Sequence, residues 1–142
     1  MMIDDDPLVY FNSAIIPLSQ AMGPVLDRGF IFDDGIYEVI PIYYCKPFRG
    51  AQHLAGLFRS LESIGIANPH DTASWNALID KVVSVNGLAD QMVYNQMVYI
   101  QVTRGVAKRS HAFPANAVPT VCIMSIHWCR RMPWRAPTAW LA

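Results

Sequence analysis

The chain has 142 residues, 53% hydrophobic and only 15% charged, with eleven Lys and Arg against eleven Asp and Glu. That is the size of one domain, too apolar to stay disordered and without the overall basic excess on which nucleic-acid binding draws. A 20-residue run free of Asp, Glu, Lys and Arg, Ser110 to Cys129, contains two His, two Pro and an Asn, so no membrane span is expected.

From the N-terminus, Met1-Met2-Ile3-Asp4-Asp5-Asp6-Pro7 puts acid where a secretory signal needs a basic start and an apolar core, which predicts a cytoplasmic protein. Leu8-Val9-Tyr10-Phe11 and Ala14-Ile15-Ile16-Pro17 predict a hairpin turning at Asn12-Ser13. Tyr37 to Cys45 has strand composition, although Pro41 sits badly inside it because it cannot donate a ladder hydrogen bond. Gln52 to Ile64 carries Leu54, Leu57, Phe58, Leu61 and Ile64 on one helical face. A second helix is predicted over about 71–86, with Asp71 or Thr72 as N-cap, Trp75, Leu78, Ile79 and Val82 on its apolar face, and Gly87 closing it. Val98 to Thr103 and Val118 to Ile126 read as strands, the second, nearly continuous in apolar residues, as the more deeply buried. Strands, then two helices, then strands predict an α+β fold: a mostly antiparallel sheet with two helices on one side.

Two irregularities stand out. Gln91-Met92-Val93-Tyr94 recurs as Gln96-Met97-Val98-Tyr99, an odd offset that cannot place both copies on the same face of one straight strand, so one copy is expected to bulge or lie in a loop. The charge is also split. Up to Asp90, the last acid, five basic residues face eleven acidic ones; beyond it Arg104, Lys108, Arg109, Arg130, Arg131 and Arg135 face none, so the halves carry −6 and +6. An anion-binding face in the second half would account for that split. Cys45, Cys122 and Cys129 are odd in number and form no Cys-x-x-Cys, so neither a disulfide framework nor a metal site is expected.

Three ordered segments carry a resemblance: Leu26-Asp27-Arg28-Gly29-Phe30 leading to Asp34-Gly35-Ile36-Tyr37-Glu38-Val39; Lys46-Pro47-Phe48-Arg49 with His53-Leu54 and Leu57-Phe58-Arg59-Ser60; and Gln101-Val102-Thr103-Arg104-Gly105 with Arg109-Ser110-His111-Ala112-Phe113-Pro114. Over about residues 8 to 125 they resemble the N-terminal domain of the D-amino acid aminotransferases, fold-type IV pyridoxal phosphate enzymes. The resemblance implies amino transfer between a D-amino acid such as D-alanine and 2-oxoglutarate. It assigns the substrate carboxylate to Tyr37, Arg109 and His111, a phenol, a guanidinium and an imidazole, with the Arg and His lent by the neighbouring subunit of a homodimer. The Arg-x-His segment favours this branch over branched-chain aminotransferases and aminodeoxychorismate lyases. For His53 the family reading is a place near the cofactor phosphate, and the plain alternative is a helix-face histidine with a structural bond.

The chain also departs from the family. Gly56 stands where a phosphate-holding Arg belongs, Asp33 where a Gly does, and Tyr44-Cys45 where an Asn-Gly-like turn is usual. Neither Lys46, Lys81 nor Lys108 matches the context of the lysine that forms the Schiff base, and the carboxylate for the pyridine nitrogen comes from a further domain. The expectation is therefore an N-terminal aminotransferase domain over residues 1–125 followed by a divergent, out-of-frame tail over 126–142, as a truncated and inactive fragment. The alternative from another class is a non-catalytic domain that dimerises or binds a carboxylate through Arg109 and His111.

Overall fold

A computed structural model describes residues 6–86 and 96–127. Six antiparallel strands form one sheet in the order β2-β1-β6-β5-β3-β4, with β1 Leu8–Phe11, β2 Ala14–Pro17, β3 Gly35–Tyr43, β4 Lys46–Pro47, β5 Gln96–Thr103 and β6 Thr120–His127. The helices are α1 Arg28–Phe32, α2 Gly50–Ser63 and α3 Thr72–Val85. This is the expected α+β architecture, with α2 lying over β3 and α3 over β6 and β1. The short α1 was not anticipated; at five residues it is too brief for an apolar period to reveal it. No described helix is long and apolar enough to cross a membrane, and no described group of three or more His, Cys, Asp or Glu could hold a metal ion.

The period of two sorts the sheet into two faces. Ile40 and Ile42 of β3, Val98, Ile100 and Val102 of β5, and Val121 and Ile123 of β6 are all buried. They close on Leu54, Leu57 and Leu61 of α2 and on Trp75, Ile79 and Val82 of α3 in one core. Each of the three leucines is about 1% exposed, and each such burial stabilises the fold by about 1.5–3 kcal/mol. Asp71 is the N-cap of α3, its side chain accepting the Ser74 N–H at 2.7 Å, which settles the choice between Asp71 and Thr72. The Trp75 indole inside this core donates to Asn68 Oδ1 at 3.0 Å.

The opposite face, with Tyr37, Val39, Tyr99, Gln101, Cys122 and Met124, is covered by neither α2 nor α3. That corrects the expectation for β6. Its apolar run is continuous because both faces are apolar, yet only alternate residues are buried, as in β5, and Val118 before it is 80% exposed. Pro41 is accommodated by strand geometry. Its carbonyl accepts the Phe48 N–H at 2.8 Å, away from β5, and the nitrogen of the same residue points the same way, so no bond to β5 is lost. Of the repeated tetrapeptide, the second copy lies in β5 in unbroken register with both neighbours. The first copy, Gly87, and residues 128–142 with Trp128, Trp134 and Trp140 lie outside the described residues. Ile126 and His127, the first residues of the expected divergent tail, end β6 opposite Met97 and Gln96.

Candidate carboxylate-binding site

The first and third motif segments converge on one node. Asp27, the N-cap of α1, accepts the Gly29 N–H at 2.8 Å, the Thr103 hydroxyl at 2.7 Å and the Thr120 hydroxyl at 2.6 Å. One carboxylate thereby ties α1 to the facing ends of β5 and β6. Gly29 lies flat against Thr103, where a Cβ would overlap the threonine methyl. Gly105, at φ 91°, lies so close to the Val118 carbonyl that a Cβ would collide with it.

Beside Asp27, Arg28 and Arg104 share a single oxygen of Asp34: Arg28 Nε donates to Oδ2 at 2.6 Å and Arg104 Nε at 2.8 Å. The three side chains are 3%, 8% and 9% exposed. Burial works against the Asp34 charge, but the hydrogen bonds and charges of Arg104 and Arg28 outweigh it and hold the carboxyl below its usual range. Arg104 also donates to the carbonyls of Gly65 at 2.8 Å and Ile64 at 2.6 Å, capping the end of α2. Arg28 turns its Nη1 to the carbonyls of Ser110 at 2.8 Å and Ala112 at 3.4 Å.

Those last bonds lead to the predicted site residues. Arg109 and His111 are exposed, on the loop between β5 and β6, and the structure brings them together on one aromatic ring. The Arg109 guanidinium carbon lies 5.7 Å from the centre of the Phe32 ring, and the His111 ring centre lies 5.3 Å from it at 51°. Arg28 occupies the same ring at 4.7 Å. Neither Arg109 nor Lys108 makes an ion pair with any described residue.

Tyr37 is placed elsewhere. It projects from the open sheet face, 66% exposed, and stacks on Tyr99 with ring centres 5.6 Å apart and planes 16° from parallel. Tyr99 in turn donates to Gln101, the residue opposite Tyr37 across the strands. Burial, with Tyr37 and Cys122 nearby, raises the Tyr99 hydroxyl above its usual pKa, and burial also raises the Cys122 thiol. Next to this pair is a hollow of about 290 Å³ with Phe11, Val25 and Phe30 as walls and Gln101 and Cys122 on its floor. Among the described residues no hydrogen bond or ring contact joins Tyr37 to Arg109 or His111 within the protomer.

His53, on α2, is bonded to β3: its Nδ1 lies 3.0 Å from Glu38 Oε1. Gly56, one turn on, faces the same carboxylate. A Cβ there would stand 3.3 Å from Glu38 Oε2 and 3.8 Å from Arg59 Nη2.

The sequence model of the amino-transferase class IV family matches residues 35–139, three quarters of the chain. The chain belongs to the class IV aminotransferase family. It is 34% identical over 110 residues to a D-alanine aminotransferase of Staphylococcus aureus, a match covering 78% of this chain and 37% of that enzyme. The fold is similar to that of Escherichia coli branched-chain amino acid aminotransferase, with a TM-score of 0.77 at 17% identity over 87% of this chain and 40% of that one. A 4-amino-4-deoxychorismate lyase from Pseudomonas aeruginosa gives 0.63 at 26% identity over 84% and 40%. This class IV chain thus spans about two fifths of the length of the proteins it matches.

Sequence reasoning missed three parts of the site. Phe32, the ring under Arg109 and His111, has no motif to mark it. Asp34 was read as a motif residue without its two arginine partners. Tyr99 was read as a strand position and Gln101 as a strand and motif residue, neither with a role beside Tyr37, although a polar residue directly opposite a candidate Tyr was a usable signal.

Proposed function

We propose that this chain is the substrate-carboxylate domain of a cytoplasmic, pyridoxal phosphate-dependent aminotransferase that moves amino groups between a D-amino acid such as D-alanine and 2-oxoglutarate, acting as a homodimer. The observation that carries the reading is the separation of Tyr37 from the Arg109–His111 pair. Both parts are exposed and neither touches the other in one protomer, so a three-group trap requires a second protomer to supply one part. The identity to D-alanine aminotransferases favours the D-amino acid branch.

A guanidinium offers a carboxylate two parallel N–H donors, while an imidazole and a phenol add directional hydrogen bonds. Arg109, on an exposed loop with no acid paired to it, is ready to accept an external carboxylate. Tyr37, kept upright by its stack on Tyr99, can donate to the second oxygen. Holding the carboxylate fixes the α-carbon and is worth rate through orientation alone.

Pyridoxal phosphate, when bound, supplies the electron sink of amino transfer. The described residues fit the substrate end of such a site. At Gly56 a Cβ would stand 3.3 Å from a Glu38 oxygen, which repels a phosphate dianion, and 3.8 Å from Arg59 Nη2, which attracts one, and no hydrogen bond or ion pair links Lys46, Lys81 or Lys108 to Glu38, His53 or Tyr37.

The test is a titration of the purified chain with 2-oxoglutarate, followed by NMR on the Arg109 and His111 side chains. Saturable shifts that disappear in Arg109→Gln, and that strengthen at protein concentrations where the chain dimerises, are expected. No saturable shift at millimolar ligand refutes the reading.

A further inference from the structure

The loop that presents Arg109 and His111 has almost no structure of its own. Residues 107–119 contain no helix or strand, and Arg109 through Phe113 are all exposed. Inside the loop, the Ala112 N–H reaches Ser110 Oγ at 3.3 Å. Among the described residues, the only hydrogen bonds that carry the backbone of 108–113 to another segment are the two from Arg28, to the Ser110 and Ala112 carbonyls. These carbonyls flank His111. A planar guanidinium fixed at its Nε by Asp34 thus grips the loop on both sides of one functional residue.

The second hold is aromatic. Phe32 is at the end of α1, four residues after Arg28, so helical spacing puts both on the same face. Its ring receives Arg28, Arg109 and His111 together, at 4.7, 5.7 and 5.3 Å. Three groups that carry or can carry positive charge crowd one ring, whose negative π face makes the arrangement tolerable. The sheet end beneath is immobilised by Asp27 and by Arg104. Support therefore reaches the loop from the β5–β6 frame by two routes: through α1 to the segment around His111, and directly from Arg104, whose guanidinium carbon lies 4.2 Å from the centre of the Phe113 ring.

We infer that Arg28 and Phe32 are positioning residues for the carboxylate-binding loop. Arg28 fastens its backbone around His111, and Phe32 sets where the Arg109 and His111 side chains rest before any ligand or second protomer arrives. This rests on the reading of Arg109 and His111 as carboxylate-binding groups. Its content is that the loop is organised in advance by α1, so that little ordering remains to be done on binding. Neither residue touches the ligand.

The experiment uses the full chain with 2-oxoglutarate as the probe and four variants: Arg28→Lys, Phe32→Leu, Phe32→Tyr and Arg109→Gln. Arg28→Lys keeps the charge against Asp34 but loses the fork, and because Arg28 is buried this protein can fail to fold. Phe32→Leu, at a partly exposed position, keeps the test decisive. Phe32→Leu is expected to melt within a few degrees of the unaltered protein, to weaken 2-oxoglutarate binding at least tenfold, and to remove the ring-current shift of the His111 imidazole protons. Phe32→Tyr should bring back both the shift and the affinity to within about twofold, which a loss of general packing would not predict. Unaltered binding in Phe32→Leu, alongside loss of binding in Arg109→Gln, overturns the positioning role while leaving the carboxylate reading intact. Absence of binding in the unaltered protein overturns the carboxylate reading, and the inference falls with it.

Discussion

Replacing Asp34 by Asn removes one negative charge from between two guanidinium groups and changes almost nothing in shape. Both Arg28 Nε and Arg104 Nε rest on the same Asp34 oxygen, at 2.6 and 2.8 Å, and the three side chains are less than a tenth exposed. Breaking a buried pair by removing one partner costs about 3–5 kcal/mol, because a desolvated charge is left uncompensated. Here two are left, facing each other. Domains of this size are stable by about 5–15 kcal/mol in total, and each kcal/mol moves the melting temperature by roughly 2–8 °C. Asp34→Asn should therefore melt on the order of 10–20 °C lower, as read by circular dichroism, with a matching loss in urea. The acid limb carries an independent check. The native Asp34 carboxyl is held below its usual value by its two arginines. The stability this provides is complete above the ordinary carboxylate pKa of about 4 and is lost as pH falls through the lowered native value. The gap between the unaltered protein and Asp34→Asn should thus be widest at neutral pH and shrink below pH ~4. A loss under about 1 kcal/mol at pH 7, the size expected of an exposed pair, or a gap that does not narrow in acid, would refute the reasoning.

Three further outcomes follow from the geometry. Tyr44 and Cys45 both occupy the left-handed region, at φ 48° and 61°, in a two-residue turn that favours Asn-Gly. Relief of roughly 1–2 kcal/mol per residue, less the entropy a Gly adds to the unfolded chain, predicts that Tyr44→Asn with Cys45→Gly raises stability by about 1–2 kcal/mol, and unchanged urea midpoints would contradict it. Gly105→Ala places a Cβ against the Val118 carbonyl at a φ of 91°, so this single methyl should leave the chain unfolded or insoluble when expressed beside the unaltered protein; a native-like melt would show that the β5–β6 loop can shift aside. The 142-residue chain by itself should give no cofactor absorption band and no D-alanine to 2-oxoglutarate amino transfer in a coupled assay, and Gly56→Arg should not restore it, because a phosphate contact supplies no proton shuttle. Turnover by the unaltered chain would overturn this and move attention to Lys46, Lys81 and Lys108.

What could be read from the sequence follows the reach of each signal. The core face of α2 and the strands β5 and β6 announced themselves through period, because burial on one side forces apolar residues to recur at 3.6 or 2. Helix α1 carried no period and was set by tertiary demands instead: Asp27 must bond three partners and Arg28 must meet Asp34. Pro41 looked like a fault because the sequence does not say which side of a strand has a neighbour, and β4 covers only the last two residues of β3. Tyr37, Arg109 and His111 were singled out by motif, but their arrangement was not visible. No pattern along the chain indicates that Phe32 collects two of them while Tyr37 stacks on Tyr99 away from both.

The charge split is where sequence and structure meet most closely. Of the second-half cations that are described, Arg104 is spent on the fold. It is buried, and a buried guanidinium must be compensated, which the first half does with Asp34 and with the carbonyls at the end of α2. Lys108 and Arg109 are exposed, so water solvates them and the fold has no need to pair them. An arginine that folding does not require, set beside a histidine on a ring supplied by α1 and fastened from behind by a buried arginine, costs conformational freedom without stabilising the core. Such an arrangement makes sense if an anion from outside the protomer completes it. The segment from Arg104 to Thr120 contains no Asp or Glu, so the loop itself carries no competitor for that anion.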